Sequence, residues 1–133
     1  MNLGHTPYLE HANQEISWCP MDTLKLFVEN MSRKEKKFLL MEYGWIDSKF
    51  TYKFNSHGFR CQEFSSEPSV VFLGCSMTMG IGLPIEKVWA TIVADRLGLA
   101  CYNLAIAGSS NDTAFRLAYY WLEKLKPKIV IYN

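Results

Sequence analysis

The sequence predicts an α/β protein built on a parallel sheet, and three observations carry that prediction. Ser69-Val70-Val71-Phe72-Leu73 is apolar after its serine, the pattern of a strand covered on both faces. Two further apolar stretches, Leu99 to Ala107 and Lys128 to Tyr132, follow it at intervals that leave room for one helix each. Between them lie segments of helical period opened by glycine-bearing loops. Strands and helices that alternate in this way imply right-handed crossovers, which bring the carboxyl ends of all three strands to one edge of the sheet.

Ahead of this grammar, residues 1–65 read as a small helical and β-hairpin segment, with residues 66–133 forming the α/β domain. Residues 1–20 lack periodicity and are interrupted by Pro7 and Pro20. Asp22 is placed to cap a short helix with Leu24, Phe27, Val28 and Met31 on one face, and a second helix over 33–43 follows. For that second helix Ser32 and Glu35 fit a capping box, Phe38, Leu39 and Met41 supply apolar contacts, and Gly44 is a stop. Phe50, Tyr52 and Phe54 alternate with Lys49, Thr51 and Lys53 as in a half-buried strand, and Asn55-Ser56-His57-Gly58 makes a turn into Phe59. In the α/β part, Pro84 opens a helix with Ile85, Val88, Trp89, Ile92, Val93 and Leu97 on one face and Gly98 at its end. A second helix from about Asp112 to Lys126 turns Ala114, Ala118, Trp121, Leu122 and Leu125 inward.

Composition narrows the functions open to such a chain. With 133 residues, 49% apolar and 20% charged, it has the composition of a globular protein of about one domain. Fourteen basic residues against thirteen acidic ones give a net charge of +1, so no electrostatic footprint for nucleic acid is present, and Arg33-Lys34-Glu35-Lys36-Lys37 reads as a solvated helix face. No apolar run reaches membrane-spanning length and residues 1–20 lack the pattern of a signal peptide, which predicts a cytoplasmic protein. Cys19, Cys61, Cys75 and Cys101 lack metal-ligand spacing, so reduced thiols are expected and no metal site or cofactor.

Chemistry belongs on the loops at the shared strand edge. The first, Gly74-Cys75-Ser76-Met77-Thr78-Met79-Gly80-Ile81-Gly82, is not a phosphate loop: Met79 and Gly80 stand where that motif needs Gly and Lys. Nor is it a dinucleotide fingerprint, since Ile85 follows Gly80 and Gly82 where a third small residue is required.

Phe72-Leu73-Gly74-Cys75-Ser76 resembles the first motif of the SGNH/GDSL hydrolases, a strand ending in Gly-Asp-Ser, with Cys75 in place of the aspartate. Asn103-Leu104-Ala105-Ile106-Ala107-Gly108-Ser109-Ser110 is similar to the second motif, and Lys126-Pro127-Lys128-Ile129-Val130-Ile131 to the strand that leads into the third. Asn55, Gly58-Phe59-Arg60 and Glu63 are similar to the lead-in that often precedes the first motif. The resemblance covers roughly residues 50–133 and implies a three-layer, SGNH/flavodoxin-like half domain with its second strand beside the first and the third on the other side.

By that resemblance Ser76 is the nucleophile toward an ester or acyl carbonyl, and the backbone N–H groups of Ser76 and Gly108 are oxyanion donors. Such preset donors meet charge that exists only in the transition state. The family's third donor, an asparagine, and its Asp-x-x-His are not matched within the 133 residues. Three substitutes come into view. Asn111 mimics the third-motif asparagine but follows the second strand, which favours a helix N-cap. His57 could act as base, though a turn histidine is more often simply exposed. Cys75 could be a thiol nucleophile at a helix start, yet the resemblance makes it a substituted neighbour. The expectation is thus a serine esterase or deacylase scaffold, feeble or inactive alone, taking a small ester or acyl substrate if active, with a non-catalytic binding or assembly module as the alternative. A third strand at the sheet edge further predicts cover from residues 1–65, from a second copy, or from a complementing chain.

Overall fold

The computed structural model describes residues 3–16, 28–29, 32–42 and 51–133. Of the expected helix at 22–31 only residues 28–29 are described; they are helical, and Val28, expected on the apolar face, is exposed. Cys19, the Gly44 stop and the start of the alternating segment at 49–50 lie outside the described residues. The described elements, in chain order, are β1 (Glu15–Ile16), α1 (Lys34–Glu42), β2 (Tyr52–Lys53), β3 (Ser69–Leu73), α2 (Ser76–Met79), α3 (Trp89–Leu97), β4 (Ala100–Asn103), α4 (Asn111–Leu125) and β5 (Ile129–Tyr132).

The protein is mixed α/β, centred on a parallel three-stranded sheet in the order β4-β3-β5. Register runs from Ser69 opposite Ala100 to Phe72 opposite Asn103 on one side, and from Val70 opposite Ile129 to Leu73 opposite Tyr132 on the other. All five residues of β3 are buried, as its apolar run requires. Because side chains alternate along a strand, Val71 and Leu73 enter one core cluster with Tyr102, Ala114, Leu117 and Trp121, while Val70 and Phe72 enter another with Val88, Ala90 and Ala94.

The helix before β4 differs from its sequence reading. Pro84 precedes a 3-10 turn over Ile85–Lys87, Val88 is extended, and the α-helix begins only at Trp89. Its buried face is Val88, Ala90 and Ala94, whereas Ile85, Ile92 and Leu97, expected to face inward, are exposed. Small alanines let the helix lie close against Val70 and Phe72, a contact that larger residues at those positions would hold apart. Trp89 still reaches Phe72 edge-on, with ring centroids 5.2 Å apart. Helix α4 follows its reading more closely: Ala114, Leu117 and Trp121 are buried and Ala118, Leu122 and Leu125 pack at the margin.

Residues 3–16 contain a 3-10 turn over Leu9–His11 and then β1, which pairs antiparallel with β2 rather than leaving the lead-in irregular. The expected local hairpin after residue 49 is therefore a pairing of segments far apart in sequence. Ser32 does not cap α1 by the expected box; its hydroxyl donates backward to the Glu29 carbonyl at 2.6 Å. Phe38, expected to make apolar contacts, is exposed.

The first segment shares the core of the sheet. Tyr8, Tyr52, Phe54 and Phe59 are buried in the same cluster as Trp121 and Tyr102. At its start, the chain is held by α4: Arg116 donates to the Leu3 carbonyl and the Trp121 indole N–H donates to the Gly4 carbonyl at 3.2 Å. Gly4 lies so close on the Tyr120 ring that an added Cβ would come within 2.2 Å of it.

Strand β5 stands at the sheet edge and its side chains are largely exposed. The described residues of 1–65 pack with α4 and β4 instead, so the expected cover from that segment is not what they supply.

Candidate functional site

Two loops meet at the carboxyl ends of β3 and β4. The first leaves β3 at Gly74, whose φ of +158° suits a residue without a Cβ, and whose hypothetical Cβ would press within 2.5 Å of both the Thr78 hydroxyl and the Asn133 carbonyl. Cys75 then occupies the N-cap position of α2, with extended backbone, and Ser76 is the first helical residue. This one-turn helix is absent from the sequence reading, which sees only a loop. It closes at Gly80, whose φ of +80° lets the chain reverse.

The second loop is tied directly to the first. The Ser109 hydroxyl donates to the Gly74 carbonyl at 2.9 Å, and the Ile106 N–H donates to the same oxygen at 3.1 Å. Beneath them Asn103, buried at the end of β4, donates its side-chain amide to the Thr78 carbonyl at 2.6 Å and accepts the Ala105 N–H at 3.1 Å. One asparagine thereby fixes the floor of both loops, which is a physical reason for that residue type at a strand end. Ser76 and Gly108 consequently share one rim of the sheet. Their backbone N–H groups have no acceptor among the described residues, and the half-buried Ser76 hydroxyl has no hydrogen-bond partner there either.

A third contribution comes from the turn Asn55–Arg60. Asn55 shapes it by accepting the N–H groups of His57 and Phe59, both at 3.0 Å, while its own side-chain amide donates to the Gln62 carbonyl. Glu63 closes the turn from outside by accepting the Ser56 N–H and hydroxyl. The turn delivers Arg60 into the interior. Its guanidinium donates to the carbonyls of Met79, Gly80 and Leu83 at 3.2, 2.6 and 2.6 Å, and lies 4.1 Å above the Tyr52 ring. Tyr52 in turn accepts the Gly82 N–H at 2.8 Å. The lead-in segment is thus a clasp on the chain that follows Ser76.

No family model, curated protein or solved structure matches the chain. The site therefore stands on its own geometry.

The substitutes considered for the missing groups are distributed as follows. His57 stacks on Phe64 at a centroid distance of 5.2 Å and meets Trp121 edge-on at 4.9 Å, with no hydrogen bond to Ser76. Asn111 is not the N-cap of α4: Ser110 holds that position, without a side-chain capping bond, and Asn111 is the first helical residue. The Asn111 side chain instead accepts the Tyr132 hydroxyl, which links α4 to β5. Cys75 is half-buried beside Ser76 and, like Cys61 and Cys101, is a free thiol.

Burial pushes the Cys61 thiol far above its ordinary range, with nearby Cys101 adding to the effect. Burial likewise raises Cys101 from 9.0 to about 12, against the opposing hydrogen bond from Thr91. Both behave as core thiols rather than nucleophiles. Among the described residues no cluster of His, Cys, Asp and Glu is arranged to hold a metal ion, and no helix is long and apolar enough to cross a membrane.

Beside the first loop, Met77, Trp89, Ile131, Tyr132 and Asn133 line an open, largely apolar concavity of about 460 Å³. Sequence reasoning reaches Ser76, Gly108 and the Asn103 motif but assigns no role to Ser109 or Arg60. Both residues fall inside the stretches that carry the resemblance, Ser109 after Gly108 in the second and Arg60 in the lead-in, but the resemblance gives neither of them a contact.

Proposed function

We propose that this rim is a serine-hydrolase site of the SGNH/GDSL type, acting on ester or acyl substrates, carried on the three-layer, flavodoxin-like scaffold of that family. The observation that carries the proposal is the junction of the two loops through Ser109 and Gly74, which sets the Ser76 hydroxyl and the uncommitted N–H groups of Ser76 and Gly108 on one rim. The strand order β4-β3-β5 is the order expected from the resemblance. In the proposed chemistry the Ser76 Oγ adds to the carbonyl carbon and gives its proton to water, the carbonyl π pair becomes an oxyanion that accepts hydrogen bonds from the two N–H groups, and its collapse expels the alcohol, leaving an acyl-serine for water to hydrolyse. An apolar acyl or alcohol portion fits the concavity beside Met77.

A serine hydroxyl needs a base to be a good nucleophile, and no base contacts Ser76 among the described residues. This favours a second reading, a non-catalytic binding or assembly module that retains the scaffold. Incubating the 133-residue chain with a short-chain aryl ester and with a fluorophosphonate probe, with Ser76→Ala as control, separates the two. The hydrolase reading expects slow, Ser76-dependent labelling, with turnover at or below the residual level of roughly 10³–10⁴ over water left when a triad loses its base. Labelling equal in wild type and Ser76→Ala overturns it in favour of the binding module. Robust Ser76-dependent turnover would instead show that a base acts within these residues.

A further inference from the structure

We infer that Ser109 is a positioning residue of the proposed hydrolase, its hydroxyl keeping the Gly108 N–H in line with the Ser76 N–H through the bond to the Gly74 carbonyl. The inference rests on the hydrolase reading of this rim and adds to it the side chain on which the alignment of the two donors depends.

Each donor is fixed within its own loop. The Ser76 N–H belongs to the peptide whose carbonyl is that of Cys75, and that carbonyl accepts the Thr78 and Met79 N–H groups at 3.1 and 3.0 Å. Because a trans peptide is planar, its N–H points the opposite way, back and away from α2. The Gly108 N–H is set by a tight turn. The Ser109 N–H donates to the Ile106 carbonyl at 3.1 Å, Gly108 has a φ of +73°, and Ala107 is not among the residues of positive φ, which together make Ile106–Ser109 a type II turn. An added Cβ at Gly108 would meet nothing within 4 Å, so glycine is needed there for the backbone conformation and the space beside it is open.

What remains is the relation of one loop to the other. The Asn103 amide joins them below, at the Thr78 carbonyl. At the rim the link is the Gly74 carbonyl, which belongs to the peptide just before the one that carries the Ser76 N–H. That oxygen is held from both corners of the type II turn, by the Ile106 N–H at 3.1 Å from the first and by the Ser109 hydroxyl at 2.9 Å from the last. With the Ile106 bond alone the turn could pivot about its first corner and swing Gly108, which lies next to the last. The Ser109 bond removes that pivot. Misplacement by about 1 Å can cost an enzyme 10²-fold, so a single bond at this corner bears directly on the transition state.

The test is the rate of fluorophosphonate labelling of the 133-residue chain as a function of probe concentration, with Ser76→Ala as the blank. The dependence separates the limiting rate of attack on phosphorus from the half-saturating concentration of the probe. Ser109→Ala should lower the limiting rate about tenfold, less than the 10²–10³-fold cost of deleting a donor outright, because the Gly108 N–H is still present. The half-saturating concentration should stay within about twofold, since the alignment of the donors matters to charge that develops only during attack. Ser109→Thr keeps the hydroxyl and should return the rate to within about threefold of wild type. Ser109→Cys, which fills the same space with a weaker donor, should lose rate as the alanine variant does and serves in its place if Ser109→Ala does not fold. Wild-type labelling no faster than that of Ser76→Ala removes the hydrolase reading and this inference with it. Ser76-dependent labelling that the alanine and cysteine variants leave at the wild-type rate, or slow through the half-saturating concentration alone, overturns the inference and leaves the hydrolase reading standing. Failure of Ser109→Thr to restore the rate does the same.

Discussion

Replacing Arg60 by alanine should be among the most damaging single changes available in this chain. Its side chain is 2% exposed and donates three hydrogen bonds to backbone carbonyls. Bonds from a charged donor contribute about 1.5–3 kcal/mol each, so three amount to about 5–9 kcal/mol before the guanidinium's own desolvation is counted. That desolvation offsets several kcal/mol, and a net loss of about 3–5 kcal/mol remains, comparable to breaking a buried charged network. For a domain of this size the loss corresponds to a Tm drop of roughly 10–20 °C. Arg60→Lys keeps the charge but not the planar fork, and a single ammonium cannot reach three carbonyls and stack on Tyr52 at once. It should recover less than half of the loss. Urea unfolding followed by tryptophan fluorescence gives the free energies. Amide hydrogen exchange gives the location: in Arg60→Ala the Gly82 N–H, held by Tyr52, should exchange much faster while the amides of β3 remain protected. An Arg60→Ala variant within about 1 kcal/mol of wild type, or an Arg60→Lys variant equal to it, would refute the clasp.

Further outcomes follow from glycine geometry and thiol burial. Gly80 and Gly82 share nearly the same backbone, with φ of +80° and +78°, but an added Cβ at Gly80 would meet Val88 Cγ2 at 2.3 Å while the space at Gly82 is open. Gly82→Ala should therefore cost only the left-handed backbone term, about 1–2 kcal/mol. Gly80→Ala should cost at least about 1 kcal/mol more for displacing a buried valine, and equal losses in chemical denaturation would contradict this. The Cys101 thiol, raised from 9.0 to about 12 by burial, favours folding while protonated. Its contribution is fully present below pH 9.0 and is lost as pH rises toward about 12. Stability should accordingly fall across that window, and Cys101→Ala should flatten the decline; identical pH profiles for the two proteins would count against it. Mapping of alkylated cysteines by mass spectrometry at neutral pH should find Cys61 and Cys101 modified far more slowly than in the unfolded chain.

The sheet is legible in the sequence because β3 is buried on both sides, and burial on both sides leaves no polar residue from Val70 to Leu73 to obscure the signal. The same directness places Ser76 and Gly108 on one rim, since parallel strands admit only one carboxyl edge. On the helix before β4, Val88, Trp89 and Val93 pack inward as expected, and the rest of that helical face is misread for a physical reason. Periodicity rewards large apolar residues and selects Ile85, Ile92 and Leu97, whereas close packing on the sheet rewards small ones and buries Ala90 and Ala94. Ser32 and Asn111 show a related limit: each has several neighbouring partners within reach, and the tertiary setting decides which is used. The role of Arg60 is the least legible. Its partners are backbone carbonyls 19, 20 and 23 residues away, and a carbonyl carries no sequence signature.

The tether between the start of the chain and α4 bears on the timing of folding. Leu3 and Gly4 are bound by Arg116 and Trp121, partners 113 and 117 residues later. During synthesis these residues have no docking surface until more than a hundred further residues have been made. At about 5–20 residues per second, the wait is roughly 6–23 s, during which Tyr8 and its neighbours are exposed. The closure of such a long loop also comes late in any refolding reaction. A nascent chain stalled before residue 116 should thus present Gly4, Thr6 and Tyr8 to proteases or chaperones, whereas the folded protein buries all three.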